Sequence, residues 1–144
     1  MSDSYLHAGL PQPQPTELDA PFWAGLAENE LRLQRCTSCG GWQWGPEWIC
    51  HHCHSDKVEY VATKARGVIY SYERVWHPVH PALAEQGPYV VVLVELPHAG
   101  SVRLVGNLLG DARQDVPIGA AVEGVFEHHA DAEPPFTLLQ WRLV

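Results

Sequence analysis

The sequence predicts a mainly β protein in three parts: an extended arm, a short helix leading into a cysteine-rich metal site, and a small closed barrel of five or six strands. Three observations carry this prediction. All four cysteines fall between residues 36 and 53, short apolar runs separated by turn residues follow them, and the 144-residue chain is 46% apolar and 18% charged. Such a composition is typical of a folded protein. We place the arm at residues 1–18, the helix and metal site at 19–57, and the barrel at 58–144.

The charge balance argues against two classes of partner. Nine lysines and arginines stand against seventeen aspartates and glutamates, which gives a formal net charge of −8. Binding to nucleic acid or to an anionic membrane depends on cationic side chains, so we expect neither partner. The longest strongly apolar stretch, Tyr89 to Val94, is far too short to span a bilayer. Because no basic segment followed by an apolar one opens the sequence, we expect no secretory signal and a cytoplasmic location.

The first thirty residues carry signals for an arm and then a helix. Prolines at positions 11, 13 and 15 alternate with glutamines and favour an extended backbone, either as a disordered tail or as an arm that orders on a partner. Asp19 is a suitable N-cap, and Pro21 suits the first helical turn. Phe22 and Leu26 stand four residues apart, which places them on one helical face.

Alternation of apolar and polar residues predicts the strands. Leu31 and Leu33 alternate with polar neighbours and indicate a strand that runs into the first cysteine. After the last cysteine come six further strand-like runs, at Val58 to Thr63, Gly67 to Val75, Tyr89 to Leu96, Val102 to Leu109, Val122 to Glu127 and Phe136 to Leu143. Closing such strands into a barrel removes exposed sheet edges. The run from Tyr89 to Leu96 is apolar on both faces, so we expect it to be buried on both sides.

The cysteines form two Cys-x-x-Cys pairs, Cys36 with Cys39 and Cys50 with Cys53. Two such turns bring four thiolates to the corners of a tetrahedron, which is the geometry of a structural zinc site. Iron in the same cage is an alternative, since tetrahedral sulfur sites also take iron. Two disulfides are disfavoured in the absence of a secretory signal. Four thiolates complete the coordination shell of the ion and leave no position for water or substrate. We therefore expect the ion to have a structural role only.

The cysteine region also holds two groups of ring side chains. Three histidines adjoin the second pair and are interpreted as surface residues, because the thiolates already complete the shell; they are His51, His52 and His54. Half of the six tryptophans lie in the loop between the pairs, at Trp42, Trp44 and Trp48. These indoles either pack on the helix and barrel or form an exposed patch for a protein partner or an adenine ring.

No catalytic constellation stands out in the sequence. We find no nucleophile elbow and no glycine-rich phosphate loop. The segment from Val75 to Pro88 carries His77, His80 and Glu85, and a histidine–carboxylate pair is able to transfer protons. The surrounding prolines favour a mobile surface loop instead. A second group, His128 and its acidic neighbours, is interpreted as an exposed hairpin tip.

An ordered set of short motifs resembles one known family. The set runs from Pro21-Phe22-Trp23 and Leu31-Arg32-Leu33-Gln34-Arg35-Cys36, through Cys39-Gly40, Pro46, Cys50 and Cys53, to Gly67-Val68-Ile69-Tyr70-Ser71, Pro88-Tyr89-Val90-Val91, Val94-Glu95-Leu96, Ile118-Gly119, Val122-Glu123 and Val125-Phe126. In this order they resemble the small zinc-ribbon plus OB-fold proteins that accompany thiolase-superfamily enzymes, a family catalogued as a domain of unknown function. The resemblance covers residues 19 to 142.

The resemblance implies an N-terminal helix, a rubredoxin-like zinc ribbon and a C-terminal OB-fold barrel. It implies that the four cysteines ligate one structural zinc ion and that the chain is a non-catalytic subunit. The partner would be a thiolase, an acyltransferase or a lipid-transfer-protein-like aldolase acting on acyl-CoA thioesters. The tryptophan-rich insert is similar to members paired with aldolases of steroid side-chain degradation. The residues expected to face the partner or coenzyme A are Phe22, Trp23, Arg32, Arg35, Trp44 and Trp48.

Three alternative functions stay open on the sequence alone. A barrel that stacks bases on Tyr70, Tyr72 and Trp141 would be a nucleic-acid-binding protein, although the net charge opposes this. A chain that uses His77 and His80 would be a stand-alone acyl-CoA enzyme. Iron in the thiolate cage would make the chain an electron carrier of rubredoxin type.

Overall fold

The computed structural model describes residues 9–144, so the first eight residues of the predicted arm lie outside the described residues. The elements, in chain order, are α1 (Ala20–Ala27), β1 (Leu31–Cys36), β2 (Trp42–Gln43), β3 (Val58–Thr63), β4 (Arg66–Val75), a short 3-10 helix (Pro81–Leu83), β5 (Tyr89–Leu96), a second 3-10 helix (Pro97–Ala99), β6 (Val102–Asn107), β7 (Ala121–His129) and β8 (Phe136–Leu143). The prediction of a mainly β chain with one short helix is confirmed. Among the described residues, no helix has the length and apolar character needed to cross a membrane.

Helix α1 begins directly after Asp19, as the sequence predicts. Asp19 occupies the N-cap position, but its carboxylate caps no helical N–H group. Its Oδ1 atom accepts instead from the Thr16 backbone N–H, at 2.6 Å, and so fixes the chain that enters the helix. Phe22 and Leu26 are buried on the face that meets the rest of the protein.

The first sheet has three antiparallel strands in the order β2-β1-β3. β3 pairs with β1 along its whole length, from Leu31 opposite Thr63 to Cys36 opposite Val58. The run at Val58 to Thr63 therefore belongs to the sheet of the metal site, whereas the sequence placed it in the barrel. Only residues 64 and 65 separate β3 from β4. The two sheets are thus joined by a very short connection.

The second sheet has five strands in the order β6-β5-β4-β7-β8 and curls into a nearly closed barrel. Its two outer strands, β6 and β8, meet at a single parallel bridge between Leu108 and Trp141. The Leu109 backbone N–H donates to the Trp141 carbonyl oxygen there, at 2.8 Å. This is the strand order of a five-stranded OB barrel, with one seam that closes at one end only.

One continuous core joins the helix, β1 and the barrel. The largest fully buried side chain is Trp141, and Leu26, Leu33 and Ile69 lie in the same apolar cluster. β5 alternates buried and half-buried residues, so its outward face is not covered within residues 9–144. The expectation that Tyr89 to Leu96 is buried on both sides is therefore wrong. Apolar residues on both faces do not by themselves require two covering layers.

Candidate functional site: a four-thiolate centre and its aromatic surroundings

The four cysteine Sγ atoms converge on one point at the end of β1. All four lie within 4.8 Å of one another. The Cys36–Cys53 and Cys39–Cys50 sulfur pairs are each 3.6 Å apart. A tetrahedron with zinc–sulfur bonds of about 2.3 Å separates its sulfurs by about 3.8 Å, so this donor set fits one zinc ion.

Both Cys-x-x-Cys turns have the same backbone form. The Gly40 N–H donates to the Cys36 carbonyl at 2.9 Å, and the His54 N–H donates to the Cys50 carbonyl at 3.0 Å. Gly40 and His54, the residues that follow the second cysteine of each pair, both have positive φ, at 75° and 64°. Histidine therefore takes the left-handed conformation that glycine takes more readily in the first turn.

Backbone N–H groups prepare the sulfurs for a cation. The Cys39 amide hydrogen-bonds the sulfur of Cys36 and is the main cause that lowers the pKa of that thiol to about 6. The Ser55 amide lowers the pKa of Cys53, but burial and the other three thiols outweigh it and raise that pKa to about 11. Four negative sulfurs in one place therefore require a bound cation to be stable at neutral pH.

The histidines near the centre are not part of the donor set. Among the described residues, the metal-ligating cluster consists of the four cysteines alone. His52 directs its Nε2 atom to the Trp42 carbonyl oxygen, at 3.2 Å, and so belongs to the wall of the ribbon. The four thiolates would hold one zinc ion with a complete shell, which leaves no open coordination position. Such an ion stabilises the fold and does not activate water or substrate.

The three ribbon tryptophans have different environments. Trp44 packs against Phe22 of α1 with ring centroids 4.4 Å apart, and the guanidinium of Arg35 lies 5.1 Å from the ring centroid of Trp42. Trp48 is 61% exposed and stands beside the exposed Ile49. Both sequence interpretations thus hold in part, since two indoles pack inward and one faces solvent.

Two of the residues expected to face a partner are engaged within the chain. Arg32 binds Glu28 at 2.6 Å and Glu30 at 3.3 Å. Arg35 donates from Nε to the Gly40 carbonyl, at 3.1 Å.

Two glutamines that the sequence did not single out organise the ribbon. Gln34 on β1 and Gln43 on β2 are each 2% exposed. The Gln34 side chain binds both backbone groups of Glu47, and the Gln43 side chain binds the Ile49 carbonyl and the His51 N–H. These amides replace the secondary structure that the loop between the cysteine pairs lacks.

Trp141 and the two histidines proposed for the alternative functions do not form a site, whereas Tyr70 and Tyr72 are exposed on β4. His80 accepts a hydrogen bond from the Ala82 N–H and caps a short 3-10 helix, while His77 is exposed. Within residues 9–144, no hydrogen bond joins either imidazole to Glu85. Trp141 is fully buried in the barrel and is unable to stack a base.

The hairpin between β7 and β8 has the exposed tip that the sequence indicated, with His128, Asp131 and Glu133 exposed, but its two histidines are engaged by neighbouring side chains. His129 is stacked on Phe136, and its Nε2 atom is 2.6 Å from a carboxylate oxygen of Glu127. The neighbouring His128 bridges Thr137, at 2.8 Å, and Asn29 at the end of α1, at 2.7 Å. His128 therefore ties the hairpin to the end of the helix.

A closed four-thiolate ribbon joined to an OB-like barrel defines a class of small zinc-ribbon OB-fold proteins. Two family models match consecutive parts of the chain. Residues 23–59 match the rubredoxin-like zinc ribbon domain of ChsH2, and residues 60–127 match the C-terminal OB-fold domain of ChsH2. The chain belongs to this ChsH2 family, within the DUF35 proteins. The predicted architecture of zinc ribbon and OB-fold barrel is confirmed.

The chain is similar to several characterised or solved proteins. It is 38% identical over 125 residues to a probable enoyl-CoA hydratase alpha subunit of Thermomonospora curvata, covering 86% of this chain and 37% of that protein. It is 31% identical to a DUF35 domain-containing scaffold protein of Methanocaldococcus jannaschii, covering 72% of this chain and 73% of that one. A solved Ltp2-ChsH2(DUF35) aldolase contains a chain 35% identical, with a TM-score of 0.77 over 92% of this chain and 98% of that chain.

Some relatives are much longer than this chain. A 3-oxo-4,17-pregnadiene-20-carboxyl-CoA hydratase alpha subunit of Mycobacterium tuberculosis is 29% identical over 147 residues. The chain spans 44% of that protein and 37% of the Thermomonospora protein.

Proposed function

We propose that this chain is a non-catalytic accessory subunit of a thiolase-superfamily enzyme that acts on acyl-CoA thioesters. The observation that carries the proposal is the likeness to the DUF35 chain of the Ltp2-ChsH2 aldolase, which extends over 92% of this chain. Two features of the described residues support it. The metal shell is closed by four cysteines, and the histidines on the loop after β4 form no catalytic pair.

The partner is proposed to be a lipid-transfer-protein-like aldolase, in a pathway that shortens a steroid side chain. The pregnadiene carboxyl-CoA hydratase alpha subunit and the Ltp2 aldolase complex support this finer assignment. A benzoylsuccinyl-CoA thiolase subunit of Geobacter metallireducens, 30% identical over 100 residues, supports the broader class of acyl-CoA enzymes. The hydratase and thiolase relatives are both named for CoA-linked substrates, and we assign the chemistry on such a substrate to the partner of this chain.

The contact surface is proposed to include the outer side of α1 and the ribbon loop. Trp48 is its strongest anchor, because a large exposed indole beside an exposed Ile49 loses much apolar surface when a partner covers it. The half-buried Trp23 on α1 is proposed to belong to the same surface, together with Phe22 and Trp44, whose rings pack against each other. Arg32 and Arg35 lie at its edge.

Coenzyme A, if it reaches this surface, is proposed to receive most of its phosphate contacts from the partner. The chain has a net charge of −8, and Arg32 is already paired with two carboxylates. A polyanionic cofactor would have to displace those carboxylates to gain a cation. The partner subunit is the better source of positive charge.

The test compares the chain, its partner and the complex in one assay. The tagged chain is isolated from its own cells, a stoichiometric thiolase-fold chain is identified by mass spectrometry, and each is then produced separately. We expect turnover of an acyl-CoA thioester by the reconstituted complex and none by this chain alone. Turnover by this chain in the absence of any other protein would refute the accessory role.

A further inference from the structure

The seam of the barrel is open along part of its length. β6 and β8 are parallel and meet at the Leu108–Trp141 bridge, and the described residues form no further β pairing between them toward Arg103 and Thr137. The gap forms a groove of about 480 Å³ beside α1. Phe22, Trp23, Trp44 and residues 103–107 and 138–140 line it.

The register of β6 determines which backbone groups face the groove. The Leu108 N–H donates to Val90 on β5, and backbone direction alternates along an antiparallel strand, so Leu104 and Gly106 also bond β5. The N–H and C=O groups of Arg103 and Val105 therefore point toward β8.

Across the groove, only the backbone groups of β6 nearest the Leu108–Trp141 bridge form hydrogen bonds to β8. The Asn107 N–H donates to the side-chain Oε1 of Gln140, at 2.6 Å, so a side chain stands in for a missing strand partner. Further along, the described residues make no backbone hydrogen bond across the seam to Arg103 or Val105. The free edge therefore consists of the N–H and C=O groups of two residues, Arg103 and Val105, spaced two positions apart, and the Val105 side chain is 67% exposed.

We propose that this groove binds an extended peptide segment of a partner protein. The segment pairs with the β6 edge at Arg103 and Val105 and places an apolar side chain against Trp23 and Trp44. An extended peptide fits because its own N–H and C=O groups repeat every two residues, which matches the free edge. A purely apolar ligand would leave that edge unsatisfied. Trp23 and Trp44 also belong to the surface of the proposed function, but this inference rests on the β6 edge and is tested in the absence of the enzyme partner.

Val105→Pro is the discriminating variant. It removes the N–H that faces the groove, while the ladder to β5 uses Leu104 and Gly106 and stays intact. Proline is tolerated on an edge strand in this orientation. Val105→Ala, which keeps the N–H and shortens the side chain, is the matched control. Zinc content and melting temperature establish that both variants fold.

The probe is a library of random linear peptides displayed on phage and selected on the full chain, followed by synthetic peptides of the selected sequences. We expect these peptides to bind wild type and Val105→Ala within about threefold and to bind Val105→Pro at least tenfold more weakly. Failure to select any peptide, or equal binding to Val105→Pro, contradicts the proposal. A wild-type dimer that Val105→Pro converts to a monomer also contradicts it, because a second copy would then be the occupant.

A second measurement uses only the wild-type chain, in case Val105→Pro fails to fold. Single amide nitrogens along a selected peptide are methylated in turn. If the peptide binds as an added strand, methylation should abolish binding at every second amide, where the N–H pairs with β6, and should leave binding unchanged at the amides between. Uniform loss, or no loss, overturns the proposal. Neither result affects the accessory role, whose test is co-purification and turnover.

Discussion

Gln34 and Gln43 hydrogen-bond to each other through their side chains, Nε2 of Gln43 to Oε1 of Gln34, at 2.8 Å in the interior of the ribbon. Together they also bind four backbone groups of the loop that carries Trp48 and leads to the second cysteine pair. The position of Cys50 relative to Cys36 therefore depends on two amides as well as on the metal.

Gln43→Met is expected to destabilise the protein by about 2 kcal/mol or more, because the His51 N–H and the Ile49 carbonyl lose their partner. Urea unfolding monitored by tryptophan fluorescence measures the change. Gln86→Met, at an exposed position, is the control and should change stability by less than about 0.5 kcal/mol. Equal stability of the two variants would show that the buried amides are dispensable.

Gly106→Ala is expected to cost about 1–3 kcal/mol through overpacking. A Cβ at this position would lie 2.8 Å from the Leu139 carbonyl oxygen and 2.8 Å from the Trp141 indole, and the carbonyl is not free to move. Thermal unfolding measures the loss. Val105→Ala on the same strand serves as control and should be nearly neutral. A stable Gly106→Ala variant would mean that the seam relaxes easily.

The substitution Tyr60→Phe tests two contributions of the Tyr60 hydroxyl to stability, its hydrogen bond and its dependence on pH. The Tyr60 hydroxyl donates to the Leu18 carbonyl at 2.8 Å, so its loss should cost about 1 kcal/mol at pH 7. Burial, with the charge of Asp19 as the smaller cause, raises the pKa of Tyr60 to about 12. The unfolded phenol titrates near pH 10, so the folded protein holds this proton more tightly.

This contribution to stability is therefore complete below pH 10 and is lost as the pH rises toward 12. The stability difference between wild type and Tyr60→Phe should narrow over that interval, as followed by urea unfolding at several pH values. A difference that stays constant from pH 9 to 12 would contradict the prediction.

Removal of the metal should unfold the ribbon. Structural zinc contributes about 10 kcal/mol or more to folding in small ribbon-like sites. Elemental analysis should give one zinc per chain, and Cys39→Ser or a strong chelator should lower the melting temperature and expose the ribbon amides to hydrogen exchange. Ser38→Ala, beside the ligand, is the control. Unchanged hydrogen exchange of the β1 amides after chelation would contradict a structural role for the ion.

Trp48→Ala is expected to weaken binding of the enzyme partner about thirtyfold, since buried aromatic anchors contribute about 2 kcal/mol. Trp76→Ala is the matched control, because Trp76 is also an exposed indole but lies on the loop after β4, away from the ribbon. Isothermal titration with the partner measures both. Equal effects of the two substitutions would place the contact elsewhere.

The features that could be predicted from the sequence are those that a local residue pattern determines. The Cys-x-x-Cys spacing gave the metal centre, and the spacing of Phe22 and Leu26 gave the helix face. It did not predict that β3 pairs with β1, because alternation identifies a strand but not its neighbour. The two buried glutamines were missed for a similar reason, since a polar residue in a short strand has no signature that separates a buried amide from an exposed one.

The burial of the individual tryptophans also could not be predicted from the sequence. Trp48 and Trp141 have the same chemistry, yet one is exposed and the other is completely enclosed. The space for Trp141 comes from Gly106, which lies on a different strand 35 positions earlier in the chain. Such long-range complementarity is visible only once the strands are arranged.

The boundary between the two matched family segments, at residues 59 and 60, falls inside β3. A cut at that point would leave Val58 and Glu59 on one fragment and the other four residues of the strand on the second. Neither fragment would then carry a whole edge for β1. Gene fusion, transplantation into another enzyme or expression in halves should therefore treat ribbon and barrel as one indivisible cassette.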